Sequence, residues 1–301
     1  MLEQIAEREI KATARSSLLE IEAEKFRAHF NREPFLIRHH LEEHPLFTLP
    51  RLIELASRLP ATSVRSNAGD TSVNTRLYGG RPTNLPVEEM LRRIEECNAW
   101  LVLKFVEQDK EYGELLNQCL DEIQALSEPI DPGMHARAGF IFVSSPSSVT
   151  PYHLDPEYNF LLQIRGGKSV SMFDVRDRSI MSDEELESYF TDTSKYNLSF
   201  KDEYQEKAKV FELSPGMGLH FPVTAPHWVK NGDHVSISFS ITFRTRRSQQ
   251  RERIYDFNGQ LRRMGLRPKP YGQSVRRDAA KLYAARALGL ARKFKQRSDS
   301  E

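Results

Sequence analysis

The 301-residue sequence predicts a mainly β fold, a barrel or a sandwich, with helices before and after it. From Ala138 to Phe243 the chain consists of short apolar runs separated by Pro, Gly, Asp and Asn, which is the strand spacing of such folds. The clearest run is 235–243, where Val, Ile and Phe alternate with Ser and Thr. The flanking segments carry apolar residues at helical spacing instead.

The alternating run has one apolar face and one face of small side chains that carry hydroxyl groups. In a barrel, the hydroxyl face would line a wet lumen. On the outside of a barrel or sandwich, the same face would contact solvent. Alternation alone leaves both interpretations open.

Residues 1–137 are predicted to be a helical and strand region that packs on the barrel. Helical spacing occurs within 2–30 and over 49–59, 86–96 and 112–127, and strand-like runs occupy 33–38, 63–67, 75–78 and 100–106.

Residues 138–243 are predicted to be the core, with a polar insertion at 176–209. Within it, Ser182 and Glu185 fit a capping box that starts a helix running to about Phe190. An insertion of this length next to a site is either a lid or substrate wall, or a peripheral loop.

Composition is that of an ordinary globular protein, with 39% hydrophobic and 28% charged residues. No run approaches the roughly 18 apolar residues of a membrane span, and the first residues lack the apolar core of a secretory signal. The two cysteines, Cys97 and Cys119, fit reduced packing residues. We therefore expect a cytoplasmic protein without a membrane partner.

Charge is segregated along the chain. Residues 244–301 carry 17 Lys and Arg against 5 Asp and Glu, a net charge of +12, which leaves −11 for residues 1–243. This basic, helical C-terminal extension is typical of a helix docked on the domain or of a homodimer element. Contact with nucleic acid, an acidic partner or an anionic surface is possible from the charge alone but not favoured.

A His-x-Asp pair, His153 and Asp155, lies at a predicted strand end. Nine histidines and 42 acidic residues give about 1.3 His-x-Asp/Glu matches by chance, and the chain has two. The other, His40 with Glu42, lies in a polar segment and fits solvated surface. On a strand, residues i and i+2 face the same side, so His153 and Asp155 can bind one metal ion together.

A third metal ligand is expected from a distant segment. His227 is preferred, because the turn, short strand and proline of 215–222 deliver its loop against the sheet. His220 is the rival candidate. Two histidines and one carboxylate leave coordination positions open for an oxidisable co-substrate and oxygen. If no other residue supported a metal site, the default interpretation would be that His153 and His227 only pack or hydrogen-bond in the core.

Lys168 begins the second strand after Asp155, so it is expected well down the barrel from the metal, where the distal carboxylate of a chelating 2-oxo-dicarboxylic acid would end. Thr150 is placed to add a hydroxyl donor. A lysine at a hairpin is more often a surface charge, and spacing alone does not decide between the two.

The pattern T-x-x-H-x-D-x-x-x-N-F-x-x-Q-I-x-G-x-K over Thr150 to Lys168 resembles the cupin-like Jumonji C (JmjC) oxygenases, particularly the branch of the hypoxia-response asparaginyl hydroxylase. PGxxxxxP and HxVxNG extend the resemblance through 215–243, and it reaches more loosely back to residue 24. It implies a double-stranded β-helix, the cupin or jelly-roll barrel. It also implies Fe(II)- and 2-oxoglutarate-dependent hydroxylation of a protein or peptide side chain.

The resemblance also implies roles for single residues. Through the metal, His153, Asp155 and His227 would be the catalytic set that binds Fe(II). Lys168 and Thr150 would bind the distal carboxylate of 2-oxoglutarate. Asn159 would lie near this co-substrate.

Two positions depart from the family pattern. A family tyrosine directed at the distal carboxylate has no counterpart, because the corresponding strand is 100–106, which lacks Tyr. A later asparagine is replaced by Ser240.

Two other functions stay open: a small-molecule oxygenase that tailors a metabolite, and a non-enzymatic cupin-like regulator that binds nucleic acid through 244–301.

Overall fold

The computed structural model describes residues 17–69, 71–75, 85–191 and 198–298, the last ten by backbone alone. Two predicted elements therefore lie partly outside the described residues: the start of the helical segment 2–30 and most of the strand at 75–78.

Twelve strands in the described part of the chain form two sheets. The first has eight strands in the order β1-β2-β10-β7-β12-β5-β4-β3, the second has four in the order β6-β11-β8-β9, and every pairing is antiparallel. The predicted double-stranded β-helix is confirmed. The strands are β1 Leu19–Glu20, β2 Phe35–His39, β3 Val64–Ala68, β4 Ala99–Lys104, β5 His135–Ser144, β6 Val149–His153, β7 Tyr158–Arg165, β8 Lys168–Met172, β9 Lys209–Leu213, β10 Met217–Phe221, β11 His227–Asn231 and β12 Ser236–Arg244.

Helices flank the sheets on the N-terminal and C-terminal sides. They are α1 Ala23–His29, α2 Leu49–Arg58, α3 Val87–Arg92, α4 Lys110–Ser127, α5 Asp183–Thr191, α6 Arg246–Arg263 and α7 Val275–Ser298. None of the described helices is long and apolar enough to cross a membrane.

Strand β12 shows why the large sheet has two buried faces. Its odd residues, 237 to 243, are fully buried in the main core with α1 and α4. Its even residues face the inside of the barrel, where Ser238 and Ser240 hydrogen-bond to Gln163 and Asn159. The hydroxyl face therefore lines the lumen, and the solvent-facing interpretation is wrong.

Helix α5 lies in the predicted insertion and begins with the predicted capping box. Ser182 Oγ accepts a hydrogen bond from the Glu185 N–H, and the Glu185 carboxylate accepts one from the Ser182 N–H. Helix α6 packs against α5, where Glu187 accepts hydrogen bonds from Asn258 and Arg262. The C-terminal extension is therefore attached to the wall that the insertion forms.

Three local predictions are corrected. His227 was placed on a loop, but it starts β11, because its backbone pairs with His153 on one side and Met172 on the other. The helix predicted over 86–96 ends at Arg92, because Arg93 leaves helical geometry at φ −111° and ψ 21°. Residues 19–20, within a predicted helix, pair with β2 as a short strand.

Candidate active site

His153 and His227 are neighbours across β6 and β11. Their backbones pair directly, and their ring centroids are 4.1 Å apart. A bulge follows His227 in this pairing. Both side chains are buried. The bulge and the ends of two strands thus bring two imidazoles together, as the sequence predicts.

Backbone carbonyls fix the orientation of both rings. His153 Nδ1 lies 2.6 Å from the carbonyl oxygen of Pro151, and His227 Nδ1 lies 3.0 Å from that of Ala225. Each Nδ1–H donates to its carbonyl, so each Nε2 keeps a free lone pair. Burial, together with the neighbouring His153, lowers the pKa of His227 to about 3, against the opposing effect of Asp155. A neutral imidazole is the form that binds metal ions.

Asp155 completes a three-residue cluster. Its two carboxylate oxygens lie 3.9 Å from Nε2 of His153 and 3.9 Å from Nε2 of His227. The three ligand atoms all fall within 4.8 Å of one another. Of the described residues, this is the one group of three or more His, Cys, Asp or Glu so arranged.

A chain of hydrogen bonds positions Asp155. Asn159 Nδ2 donates to Asp155 Oδ2 over 2.8 Å, and Ser240 Oγ donates to Asn159 Oδ1 over 2.8 Å. Because Ser240 and Asn159 lie on the adjacent strands β12 and β7, the large sheet holds a carboxylate that faces the small sheet. Ser240, a departure from the family pattern, thus supports Asn159.

Lys168 is buried at the other end of β8. It is 6% exposed, and its side chain forms no ion pair or hydrogen bond with the described residues. Burial lowers its pKa to about 7. Its backbone pairs with Asn231, four residues along β11 from His227. Surface charge is therefore the wrong interpretation of this lysine.

A cavity of about 550 Å³ between the sheets joins these residues. Thr150, Asn159 and Lys168 contribute to its lining together with the cluster of His153, Asp155 and His227. The remaining lining residues are Trp100, Val102, Lys104, Phe105, Ala136, Ala138, Phe140, Phe142, Ser144, Leu154, Pro156, Glu157, Leu161, Tyr189, Phe221, Val229, Ser240, Thr242 and Arg244.

His220, the rival third ligand, lies on the opposite side of the large sheet. Its ring packs against Phe30, Phe35 and Phe160 in the main core. Both ring nitrogens are engaged, because Nε2 accepts from the Asn31 N–H and Nδ1 donates to the Asn159 carbonyl. The structure therefore brings His227, and not His220, to the cluster.

The sequence did not single out several residues of the cavity wall. Tyr189 of α5 donates its hydroxyl to the Leu154 carbonyl over 2.8 Å, which connects the insertion to the segment between His153 and Asp155. Arg244 pairs with Glu157 over 2.7 Å at the cavity lining. Trp100 follows the two-residue period of β4, which was the available signal for it. Lys104 lies on the same face, whereas an edge or surface position was the favoured interpretation of its sequence.

Solved structures with a similar fold include YcfD of Escherichia coli. Its X-ray structure has a TM-score of 0.53 and 18% identity, over 90% of this chain and 68% of that chain. A structure of YcfD described as a ribosomal oxygenase in complex with cobalt and 2-oxoglutarate has a TM-score of 0.51 and 17% identity, over 90% and 67%. The chain has the fold of the JmjC oxygenases.

This JmjC-like chain also has a curated relative. Lysine-specific demethylase 8 of Xenopus tropicalis is 31% identical in an alignment of 136 positions that covers 42% of this chain and 28% of that protein. The chain thus matches little more than a quarter of that relative's length. No protein-family model matches the chain. The JmjC resemblance is confirmed, and the asparaginyl hydroxylase branch stays a prediction.

Proposed function

We propose that the chain is an Fe(II)- and 2-oxoglutarate-dependent hydroxylase that acts on a side chain of a protein or peptide. The metal ligands are His153, Asp155 and His227. The observation that carries this proposal is that one cavity contains both the His/Asp/His cluster and a buried lysine that has no anionic partner among the described residues.

The donor set fits Fe(II). Two neutral imidazoles and one carboxylate on one side of an ion form the facial triad of non-haem iron oxygenases. Oδ1 of Asp155 lies 3.9 Å from Nε2 of His153, and Oδ2 lies 3.9 Å from Nε2 of His227. The ligand atoms of the three residues lie within 4.8 Å of one another, so the three side chains converge on one place where an ion can bind. Cysteine, the soft ligand that favours zinc or copper(I), is absent from the described cavity lining.

Iron with 2-oxoglutarate supplies the oxidation: one oxygen atom of O₂ enters a C–H bond of the substrate, and the other enters succinate as 2-oxoglutarate loses CO₂. The protein binds and orients. His153 and His227 present Nε2 because their Nδ1–H groups are held by carbonyls. Asn159 keeps the Asp155 carboxylate aimed at the same point.

Lys168 and Thr150 hold the far end of the co-substrate in this proposal. Met172 is the backbone partner of His227 in the β8–β11 pairing, and Lys168 lies four residues before Met172 on β8. The Cα atoms of Lys168 and Met172 are therefore about 13 Å apart along the strand. A lysine side chain and a five-carbon diacid together cover a gap of this size. A carboxylate beside the buried ammonium group would compensate its lost hydration.

A protein substrate is supported by the cavity wall and by the similar proteins. The lining continues from the cluster to Phe105, which is 45% exposed, and to the Glu157–Arg244 pair, so a chain segment can approach along this rim. One similar protein is described as a ribosomal oxygenase and another as a lysine-specific demethylase. The asparaginyl hydroxylase branch and a cytoplasmic location belong to the same proposal.

Conversion of 2-oxoglutarate to succinate with Fe(II) tests the proposal. We expect the wild type to release succinate when given protein fractions under ¹⁸O₂, with one labelled oxygen atom in a polypeptide, and we expect His153→Ala to release none. Label in a metabolite instead would favour the small-molecule oxygenase. Absence of iron-dependent succinate with protein and metabolite fractions alike would refute the hydroxylase.

The nucleic-acid regulator has less support. Arg244 and Arg262 are paired with acidic groups of the protein itself. Retention of the full chain on DNA at low salt, lost when 244–301 is deleted, would favour the regulator. A homodimer through the same extension remains a prediction.

A further inference from the structure

The cavity contains a second residue suited to a carboxylate. Trp100 is 4% exposed and lines the cavity, and its indole Nε1–H has no hydrogen-bond acceptor among the described residues. A buried N–H without an acceptor is rare in proteins, because its lost hydration is not replaced. An acceptor supplied by a ligand would remove this cost.

Trp100 and Lys168 lie at the same end of the barrel. Trp100 pairs with Ser144, the last residue of β5, and the Ser145 N–H donates to the Ala99 carbonyl beside it. The turn then continues to Ser148, whose carbonyl accepts from the Asn231 N–H. Asn231 is the backbone partner of Lys168. A short path of backbone contacts therefore connects Trp100 to Lys168 at this end of the barrel.

A neighbouring residue adds another donor without an acceptor. Asn67 of β3 pairs directly with Trp100, is 2% exposed, and has no acceptor for its Nδ2 within the described part of the chain. Directly opposite residues on antiparallel strands place their side chains on the same face. This end of the barrel thus combines two N–H donors and one ammonium group that have no partner in the described segments.

We propose that the Trp100 indole N–H donates a hydrogen bond to the distal carboxylate of 2-oxoglutarate, alongside Lys168, and so helps to select a dicarboxylic co-substrate. A carboxylate suits the place, because it offers about four acceptor positions and no donor. The proposal rests on the proposed function. Trp100 is a positioning and specificity residue in it, and it takes no part in metal binding.

Binding measured without turnover tests this role. With Mn(II) in place of iron and without oxygen, calorimetry gives the Kd of 2-oxoglutarate and, separately, the Kd of Mn(II). Trp100→Phe keeps an aromatic ring and removes the N–H. Since a hydrogen bond to a charged group is worth a factor of roughly ten or more, we expect the Kd of 2-oxoglutarate to rise at least about tenfold. The Kd of Mn(II) should stay within about twofold.

Tyr112→Phe is the control, because it also removes one buried donor from an aromatic side chain, its hydroxyl donates to the Leu46 carbonyl, and the residue is not part of the described cavity lining. It should leave both constants unchanged. A Trp100→Phe protein that binds 2-oxoglutarate like the wild type would overturn the inference. Equal weakening of Mn(II) and 2-oxoglutarate would assign Trp100 to packing alone and would also overturn it. If the Mn(II)-loaded wild type does not bind 2-oxoglutarate, the proposed function fails, and this inference fails with it.

Discussion

Two backbone carbonyls determine which nitrogen each ligand histidine offers. Pro151 and Ala225 accept from the Nδ1–H groups of His153 and His227, and both rings therefore present Nε2 toward Asp155. His220 has both nitrogens occupied in the core. Accordingly, local hydrogen bonding separates a ligand histidine from a structural one.

His227→Phe and His220→Phe make a matched pair. Loss of a residue that only hydrogen-bonds to a metal ligand weakens metal binding roughly 10- to 100-fold. We expect His227→Phe to weaken Co(II) binding by more than this, because it removes a proposed ligand itself. His220→Phe should leave Co(II) affinity within about twofold but lower the free energy of unfolding by about 2 kcal/mol, since the Asn31 N–H and the Asn159 carbonyl lose their partner. Visible absorption of Co(II) and urea unfolding measure the two effects. Similar losses of Co(II) affinity in both variants would contradict the assignment.

Lys168 gives co-substrate binding a pH dependence. Burial puts the pKa of the free lysine at about 7, and a bound carboxylate raises it by favouring the charged form. Above pH 7, binding must therefore take up a proton. We expect the Kd of 2-oxoglutarate to rise by up to about tenfold per pH unit above pH 7, until the pKa of the complex is reached.

Calorimetry on the Mn(II)-loaded protein between about pH 6.5 and 8.5 follows this change. Lys168→Met should bind weakly throughout, without the slope. A wild-type Kd that is constant over this range would show that Lys168 does not contact the anion.

Some residues of the cavity could be predicted from their spacing in the sequence, and others could not. His153 ends β6 and Asp155 follows two residues later, so the two side chains are close in sequence, and the hydrogen bond from Asn159 positions the carboxylate. Trp100, Tyr189 and Arg244 come from separate elements, and only the sheet order brings them to the same cavity. Such long-range placement has no local signature.

At the scale of elements, β12 is the strand on which both faces of the barrel depend. Its apolar residues anchor the helical layer, while its hydroxyl residues hold Gln163 and Asn159 in the lumen. Alternation predicted the strand but not the use of its polar face. That use depends on the pairing with β7, which a single strand does not encode.

Helices α5 and α6 meet at a glycine. A Cβ on Gly259 would lie 2.8 Å from the carbonyl oxygen of Glu187 and would also meet the Thr191 hydroxyl. Gly259→Ala gains up to about 1 kcal/mol of helix propensity, but the clash of overpacked helices costs about 1–3 kcal/mol. We therefore expect a net loss of stability.

Urea unfolding measures this loss, and the exposed residue Arg253 of the same helix offers a control. Arg253→Ala should change the free energy of unfolding by no more than about 0.5 kcal/mol. Stabilisation by Gly259→Ala would mean that α6 does not pack on α5 at this distance.

Element bounds were hardest to predict where tertiary pairing overrides local preference. The segment that starts at His227 reads as a loop after a proline, yet it forms β11 because β6 and β8 pair with it on both sides. Residues 93–96 continue a helical pattern, but the chain turns there, and Ile94 enters the core. In both places the neighbouring strands and the core decide the conformation.

At the scale of the whole molecule, the protein is a barrel whose two ends differ. One end holds the His/Asp/His cluster and the rim with Phe105, and the other end holds Lys168 and Trp100. The division of the chain into units 1–137, 138–243 and 244–301 remains a proposal. Strands β1 to β4 of the first unit belong to the same sheet as β5, β7, β10 and β12, so the first two units share one sheet.

The difference between the two ends of the barrel can be tested directly by a crystal structure of the protein with Mn(II) and 2-oxoglutarate, from crystals grown without oxygen. The account predicts Mn(II) on Nε2 of His153, Nε2 of His227 and a carboxylate oxygen of Asp155. It also predicts the distal carboxylate within hydrogen-bond distance of Lys168 Nζ. A metal ion bound elsewhere, or 2-oxoglutarate that leaves Lys168 without an anionic partner, would contradict it.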